Sequence, residues 1–275
     1  MCRGEQKGAG IGTLCEAYGY SRQGYYKRRG IEGKREAEEE AVVKQVQRIR
    51  KRQPRVGGRK LHKMLGADEC RIGRDRLLRI LRERGLLVKR KRKYVRTTQS
   101  AHWFKVYKNL IKEEEARKPE QVFVADITYL ETMEGYCYLS LITDWYSRKI
   151  MGYAVSRSLS IEGSVRALKM ALRRTKNPKL LIHHSDRGIQ YCSKGYTDML
   201  KEQGVRISMT EENHVYENAL AERVNGILKD ELQLGEKILS FRVAERMVQE
   251  AVQIYNEERL HMSLDYMTPA QKHAA

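Results

Sequence analysis

The chain has 275 residues, 41% hydrophobic and 32% charged, with a net charge of +19, which is length enough for two domains and a sizeable core. It holds no apolar run of the ~18 residues a membrane-spanning helix needs, and its polar, glycine-rich start has no signal-peptide pattern. The five scattered cysteines (Cys2, Cys15, Cys70, Cys137 and Cys192) form no zinc-spaced pair and no disulfide framework, which fits a reducing cytoplasm. Charge is divided unevenly: residues 1–120 carry 34 Lys and Arg against 15 Asp and Glu, whereas residues 121–275 carry 20 of each. The first part reads as a polyanion-binding device and the second as an electrically balanced one.

In chain order, Glu16 to Arg29 reads as a short helix–turn–helix remnant ending in the cluster Tyr25-Tyr26-Lys27-Arg28-Arg29. Residues 36–52 read as a helix with Val42, Val43, Val46 and Ile49 on one face, stopped by Pro54 and Gly57-Gly58. A second short helix carries Leu61, Met64 and Leu65. After a turn at 66–73, a third runs from about Arg74 to Arg84, with Gly85 as its C-terminal stop. Its apolar positions are Leu77, Leu78 and Leu81, and its exposed positions include Arg74, Arg76, Arg79 and Arg82. Three short helices with an arginine-rich last one suit a helix-turn-helix; the alternative is a three-helix bundle with a solvated basic face. The arm Lys89-Arg90-Lys91-Arg92-Lys93 favours DNA, because a dense basic run tracks phosphates. Residues 1–88 are therefore expected to be a basic, all-α DNA-binding region and 89–119 a basic linker docked through Trp103, Phe104 and Tyr107. Residues 120–275 are expected to be a catalytic core with a C-terminal helix.

In that core, Val122–Leu130, Tyr136–Tyr146 and Lys149–Val155 read as strands, with a hairpin turn at Met133-Glu134-Gly135. A helix over 161–174 and a buried strand at Lys179–His183 follow. Next come a helix near 193–203, a strand at Arg206–Met209, and helices at Glu217–Leu234 and Phe241–Asn256, the last N-capped by Ser240. Three early strands followed by alternating helix and strand give an α/β fold with a sheet of mixed direction.

Three carboxylates stand out: Asp126 in the apolar strand Val124-Ala125-Asp126-Ile127, Asp186 just past a strand end in His184-Ser185-Asp186-Arg187-Gly188, and Glu222 on a helix, with 35 residues between it and Asp186. A charge at Asp126 is costly unless paired or metal-bound. Strand ends are where ligands of α/β sheets sit. Two aspartates and a glutamate suit hard cations such as Mg²⁺, with Mn²⁺ as a substitute, and two such ions serve phosphodiester displacement. Asp144 is the rival, read as a hydrogen-bonding structural residue. Asn225 and Lys229 follow Glu222 at i+3 and i+7 on one helix face, where they are expected to hold DNA phosphates. His183-His184 lacks partners at zinc spacing.

These stretches resemble the integrase-core transposases of bacterial insertion sequences, more narrowly the OrfB-type proteins of elements with two overlapping frames. The resemblance rests on Ala125-Asp126-Ile127-Thr128-Tyr129, His184–Gly188, Glu217–Glu222, Leu228-Lys229 and Glu231. It continues through Tyr255-Asn256, Arg259, His261, Ser263-Leu264 and Thr268-Pro269, and through the basic segment 58–84. It covers about residues 37–270. Phe123, Glu217 and Leu260 stand where the family often has Trp, Asp and Pro; none is a candidate ligand. The resemblance implies a ribonuclease H-like core and an Asp-Asp-Glu triad of Asp126, Asp186 and Glu222 holding two Mg²⁺ ions. It implies hydrolysis at element ends and strand transfer by the exposed 3′-hydroxyl. It further implies action on terminal repeats and target DNA as a homo-oligomer in the bacterial cytoplasm on the nucleoid, with an upstream-frame protein as partner or fusion. A nuclease that cuts without joining and a DNA-binding regulator are the competing functions, and the presence of all three carboxylates disfavours the second.

Overall fold

The structure, a computed structural model, describes residues 10–67, 72–88, 105–112, 116–211 and 219–275. The basic arm Lys89–Lys93, Trp103, Phe104, Glu217 and Asn218 lie outside the described residues. The chain divides into two compact units, Met1–Ile49 with Leu61–Leu87, and Arg50–Lys60 with Val88–Ala275.

The first unit is helical: α1 (Ile11–Ala17), most of α2 (Arg22–Arg52), most of α3 (Gly58–Ala67) and α4 (Arg74–Glu83). Val42, Val43 and Val46 of α2, Leu61 and Leu65 of α3, and Leu77, Ile80 and Leu81 of α4 are buried. Where periodicity places the start of the second helix at residue 36, it starts at Arg22. Residues 22–40 are exposed except for half-buried Glu39, so this stretch has no apolar stripe to read. The arginines of α4 are not all free, as expected, to face solvent. Arg76 bonds Glu38 at 3.0 Å, Arg79 bonds Glu39 at 2.8 Å and Glu83 at 3.1 Å, and Arg74 bonds its neighbour Asp75 at 3.0 Å. Arg82 is exposed and has no ionic partner among the described residues.

The second unit is built on a five-stranded sheet of order β3-β2-β1-β4-β5. The strands are β1 (Val122–Thr132), β2 (Gly135–Asp144), β3 (Ile150–Ser156), β4 (Ile182–Ser185) and β5 (Arg206–Met209). β1, β2 and β3 run antiparallel in sequence, and β4 and β5 run parallel to β1. This is the mixed sheet expected from the element pattern. β4 begins three residues later than expected, because Pro178–Leu180 forms a 3₁₀ turn with Leu180 exposed.

Each face of the sheet carries its own core. On one side Phe123, Ala125, Ile142 and Met151 meet Ala167, Leu168 and Ala171 of α5 (Ile161–Arg173) and Tyr196 of α7 (Lys194–Glu202). Contact there is close enough that a Cβ on Gly152 of β3 would run into the carbonyl oxygen of Ala167 and sit 2.9 Å from the Ala171 nitrogen. A short α6 (Ile189–Cys192) lies between β4 and α7. On the other side Leu130, Leu139, Leu141 and Ile150 meet Val224, Ile227 and Leu228 of α8 (Ala219–Asp230) and Val248, Val252 and Tyr255 of α9 (Phe241–Glu257). Ser240 caps α9 by accepting from the Val243 N–H at 3.3 Å. Burying these apolar side chains on both faces, about 1.5–3 kcal/mol each, fixes the register that sets the strand ends.

Several motif residues near the C-terminus hold this architecture together. Asn256 accepts from the Ile150 N–H at 2.9 Å and donates to the Ile150 carbonyl at 3.0 Å, clamping α9 to β3. Buried Arg259 grips Glu231 with two bonds, at 2.8 and 2.9 Å, and Lys60 approaches the same carboxylate at 3.0 Å. Thr268 and Gln271 form a capping box that starts α10 (Pro269–Ala274). Part of the segment read as linker also belongs to the sheet's cover. Ile111 packs with Val122, Val124, Ile182 and Ala221, the Leu110 N–H donates to Ser208 Oγ at 2.9 Å, and Tyr107 packs beside the α5-side cluster.

Candidate active site

Asp126 lies in β1, one residue beyond Ala125, which pairs with Ser185 at the end of β4. Asp186 follows Ser185. In a parallel pair, residues at equal register lie about 4.8 Å apart and point the same way, so the two aspartates share a level on adjacent strands. Beyond residue 125 β1 has no partner on its β4 side, and this opening gives both carboxylates room.

α8 crosses the same face. Asn225 of that helix is buried and donates from Nδ2 to Asp126 Oδ2 at 2.7 Å, while Asp126 Oδ1 accepts from the Ile127 N–H at 2.9 Å. Asp186 Oδ1 accepts from the Gly188 N–H at 2.9 Å. Glu222, one turn before Asn225 on α8, is exposed. Burial pushes the Asp126 carboxyl up to about 7, the charge of Asp186 adds to this and that of Glu222 adds less, while Asn225 and the Ile127 N–H oppose it. Asp186 and Glu222 thus both act on Asp126, but among the described residues no three His, Cys, Asp or Glu side chains close into a ligand set.

Lys229 lies two turns beyond Glu222. It is half-buried, with Nζ 4.3 Å from the centre of the Tyr129 ring. Burial lowers its pKa, and the charge of Asp126 works against that. Tyr129 stacks edge-on with Tyr136 at 5.5 Å. Tyr191 of α6 is buried, and its hydroxyl has no hydrogen-bond partner among the described residues. Burial, then Tyr196, Asp126 and Asp186, raise that hydroxyl's pKa well above the ordinary value. It therefore lies within electrostatic reach of both aspartates.

The structure brings together Asp126, Asp186, Asn225 and Lys229, with Glu222 at the rim. Asn225, read as a DNA contact, instead faces inward to a carboxylate: position i+3 from Glu222 shares its side of the helix, but at the depth of Asp126. Sequence reasoning missed Tyr129 and Tyr191, although Tyr129 ends the Asp126 motif and Tyr191 lies three residues past Gly188. Asp144 is fully buried and structural: Oδ1 accepts from the Ser147 N–H and hydroxyl at 2.7 Å, and Oδ2 from the Glu120 N–H at 2.7 Å. His183 and His184 are also structural. Burial lowers them to about 3 and about 4, so both are neutral near pH 7, bonded to Tyr196 and Ser208 at 2.9 Å each.

Residues 116–214 and 203–269 match two integrase core domain families, and residues 36–94 match an HTH-like domain family. The insertion element IS600 31 kDa protein of Shigella sonnei is 37% identical over 262 residues, 94% of this chain and 96% of that one. The transposase for insertion sequence element IS629 of Shigella sonnei is 31% identical over 273 residues, 97% of this chain and 92% of that one. Transposase InsF for insertion sequence IS3A of Escherichia coli K12 is 36% identical over 193 residues, 70% and 67% of the two chains. Among solved structures, the catalytic core domain of HTLV-2 integrase with magnesium covers 58% of this chain at 16% identity, with a TM-score of 0.47. The domain-family matches and the transposase relatives define a polynucleotidyl transferase with an integrase core, here built on a mixed five-stranded sheet, and an HTH-like DNA-binding region. Within that class the chain belongs to the IS3-family insertion-sequence transposases.

Proposed function

We propose that Asp126, Asp186 and Glu222 are the catalytic carboxylates of this transposase, and that they hold two Mg²⁺ ions, replaceable by Mn²⁺. The observation that carries this reading is the crowding of negative charge where Asp126, midway along β1, meets Asp186 just past the end of β4: burial and Asp186 push Asp126 up to about 7. An all-oxygen donor set of this kind fits a hard divalent cation. Bound ions would polarise the scissile phosphate and ease ionisation of the attacking oxygen. The chain's own part is positional. Asn225 fixes one oxygen of Asp126, leaving the carboxylate a single orientation. Lys229, held over Tyr129, offers its charge to a phosphate near the cut. Water first attacks the phosphorus at the element end and the 3′-oxygen leaves as a hydroxyl; that hydroxyl then attacks a second phosphodiester, whose own 3′-oxygen leaves and takes up the proton. Both steps rest on alignment and charge stabilisation, with no covalent enzyme intermediate.

The basic region 1–88 anchors element terminal repeats, with Arg74, Arg76, Arg79 and Arg82 of α4 and the arm Lys89–Lys93 along the phosphates; residues 89–119 link it to the core at 120–275. Arg76 and Arg79 would have to exchange Glu38 and Glu39 for phosphate, whereas Arg82 needs no exchange. The protein works as a homo-oligomer joining ends to target DNA, with the upstream-frame protein as partner or fusion. It does so in the bacterial cytoplasm, on the nucleoid. No helix among the described residues is long and apolar enough to cross a membrane. Calorimetric titration of Mg²⁺ and Mn²⁺ tests the metal reading. Heat of binding is expected in the wild type and its loss in Asp126→Asn and Asp186→Asn; equal binding by all three overturns it.

A further inference from the structure

Residues 10–35 precede the segment matching the HTH-like domain, and their geometry has a use of its own. α1 ends in a tight reversal: the Gly19 N–H donates to the Glu16 carbonyl at 3.2 Å and the Tyr20 N–H to the Cys15 carbonyl at 2.8 Å, the paired closure that a left-handed residue at C′ permits. That residue is Gly19, at φ +73°, a conformation in which a side chain is strained. Two residues later Ser21 starts α2 by accepting from the Gly24 N–H at 3.0 Å. A seven-residue helix, a four-residue turn with glycine in it and a second helix make a complete helix-turn-helix in outline. The inner corner is filled as such a motif requires. Cys15 is buried, and α2 turns Tyr25, Arg28 and Glu32 towards the groove it shares with Leu14, Cys15 and Tyr18.

The outer face of α2 is different. Gln23, Tyr26, Lys27, Ile31 and Lys34 recur at helical spacing away from that groove, and all are exposed. A Cβ on Gly30, on the same face, would meet nothing within 4 Å. Residues 22–35 carry six Lys and Arg against one Glu, and Lys27 and Lys34 have no ionic partner among the described residues. Exposed glutamine, tyrosine and lysine on the first turns of the second helix are the groups that reach base edges and phosphates in a major groove.

We propose that α1 and the start of α2 are a second duplex-reading element, separate from α4, with Gln23 and Tyr26 at base edges and Lys27 and Lys34 on phosphates. The proposal rests on the DNA-binding role of the helical region and adds a site to it.

The test uses the full chain, a duplex bearing the element's terminal repeat and an unrelated duplex. Each variant is checked by circular dichroism and melting, which these surface changes should leave unaltered. Gln23→Ala with Tyr26→Ala should weaken binding to the repeat about tenfold, leave the unrelated duplex within twofold, and keep the salt dependence. Lys27→Ala with Lys34→Ala should weaken both duplexes and reduce the log–log salt slope by about 2. Missing-base interference on the repeat should lose one cluster of positions in the first double variant and a different cluster in Arg82→Ala. If both double variants bind and interfere like wild type while Arg82→Ala weakens binding, the proposal is overturned and the α4 reading stands. If Arg82→Ala is silent and the α2 variants are not, the α4 reading fails and this one holds.

Discussion

The amide of Asn225 donates to Asp126 Oδ2 at 2.7 Å, so a residue of α8 sets the orientation of a β1 carboxylate 99 positions earlier in the chain. A bond of this type to a charged acceptor is worth about 1.5–3 kcal/mol. Asn225→Ala is therefore expected to lower the single-turnover joining rate about 10- to 100-fold while end binding stays unchanged. Measuring both on one preparation decides the matter. Loss of binding with an unchanged rate would make Asn225 a DNA contact instead.

Lys229 calls for the opposite outcome. Its ammonium stands over Tyr129 at 4.3 Å and within electrostatic reach of Asp126. Lys229→Ala should reduce joining at limiting DNA and recover in part as DNA is raised, whereas an Asp126→Asn enzyme should not recover. Wild-type joining by Lys229→Ala at limiting DNA would leave the lysine with no role beyond its contact with Tyr129.

Asp144 separates structure from chemistry. It accepts three bonds inside the fold and lies outside the carboxylate group. Asp144→Asn keeps the shape but turns one acceptor into a donor facing a donor. It should cost about 1–3 kcal/mol of stability, read as a drop in melting temperature. At a temperature where the variant is folded, the joining rate per folded molecule should match wild type.

The stability of the second unit should depend on pH through Lys60. Burial, then Arg259, lower its pKa to about 8, against the opposing pull of Glu231. Glu231 itself stays below its ordinary value despite burial, because Arg259 binds it first and more closely; the lysine is the surplus cation. The unfolded chain keeps the Lys60 proton to about 10.5 and the folded one only to about 8. Between those values the unfolded state holds more protons, so stability rises with pH. Below pH 8 the buried charge costs on the order of 3 kcal/mol. Lys60→Met should therefore raise the melting temperature at pH 7, with the gain shrinking towards pH 10. A lower melting temperature at pH 7 would show the ion pair to be net stabilising.

Much of this was legible from the residues. Apolar, β-branched and aromatic runs located all five strands, and Asp126 stood out because an acid between Val124 and Ile127 has no cheap structural reason. The parts that were not legible lack a local signature. The first half of α2 has no buried side, so nothing periodic marks its start at Arg22. β4 slid because Leu180 and Leu181 are both apolar, yet only Leu181 is buried. Asn225 was placed on the correct helix face but at the wrong depth: spacing gives an angle around the helix, and only the sheet beneath decides whether that angle meets DNA or Asp126. Asn256, Arg259 and Thr268 carried the resemblance without revealing that their bonds clamp the C-terminal helices in place.

The central claim is that Asp126, Asp186 and Glu222 together perform the displacement. Its most direct test is joining of labelled element ends to target DNA in Mg²⁺ by Asp126→Asn, Asp186→Asn and Glu222→Gln, each first shown to be folded and to bind ends like wild type. All three should yield no cleaved ends and no joined product. Joining near the wild-type rate by any one of them would remove that residue from the catalytic set and contradict the account.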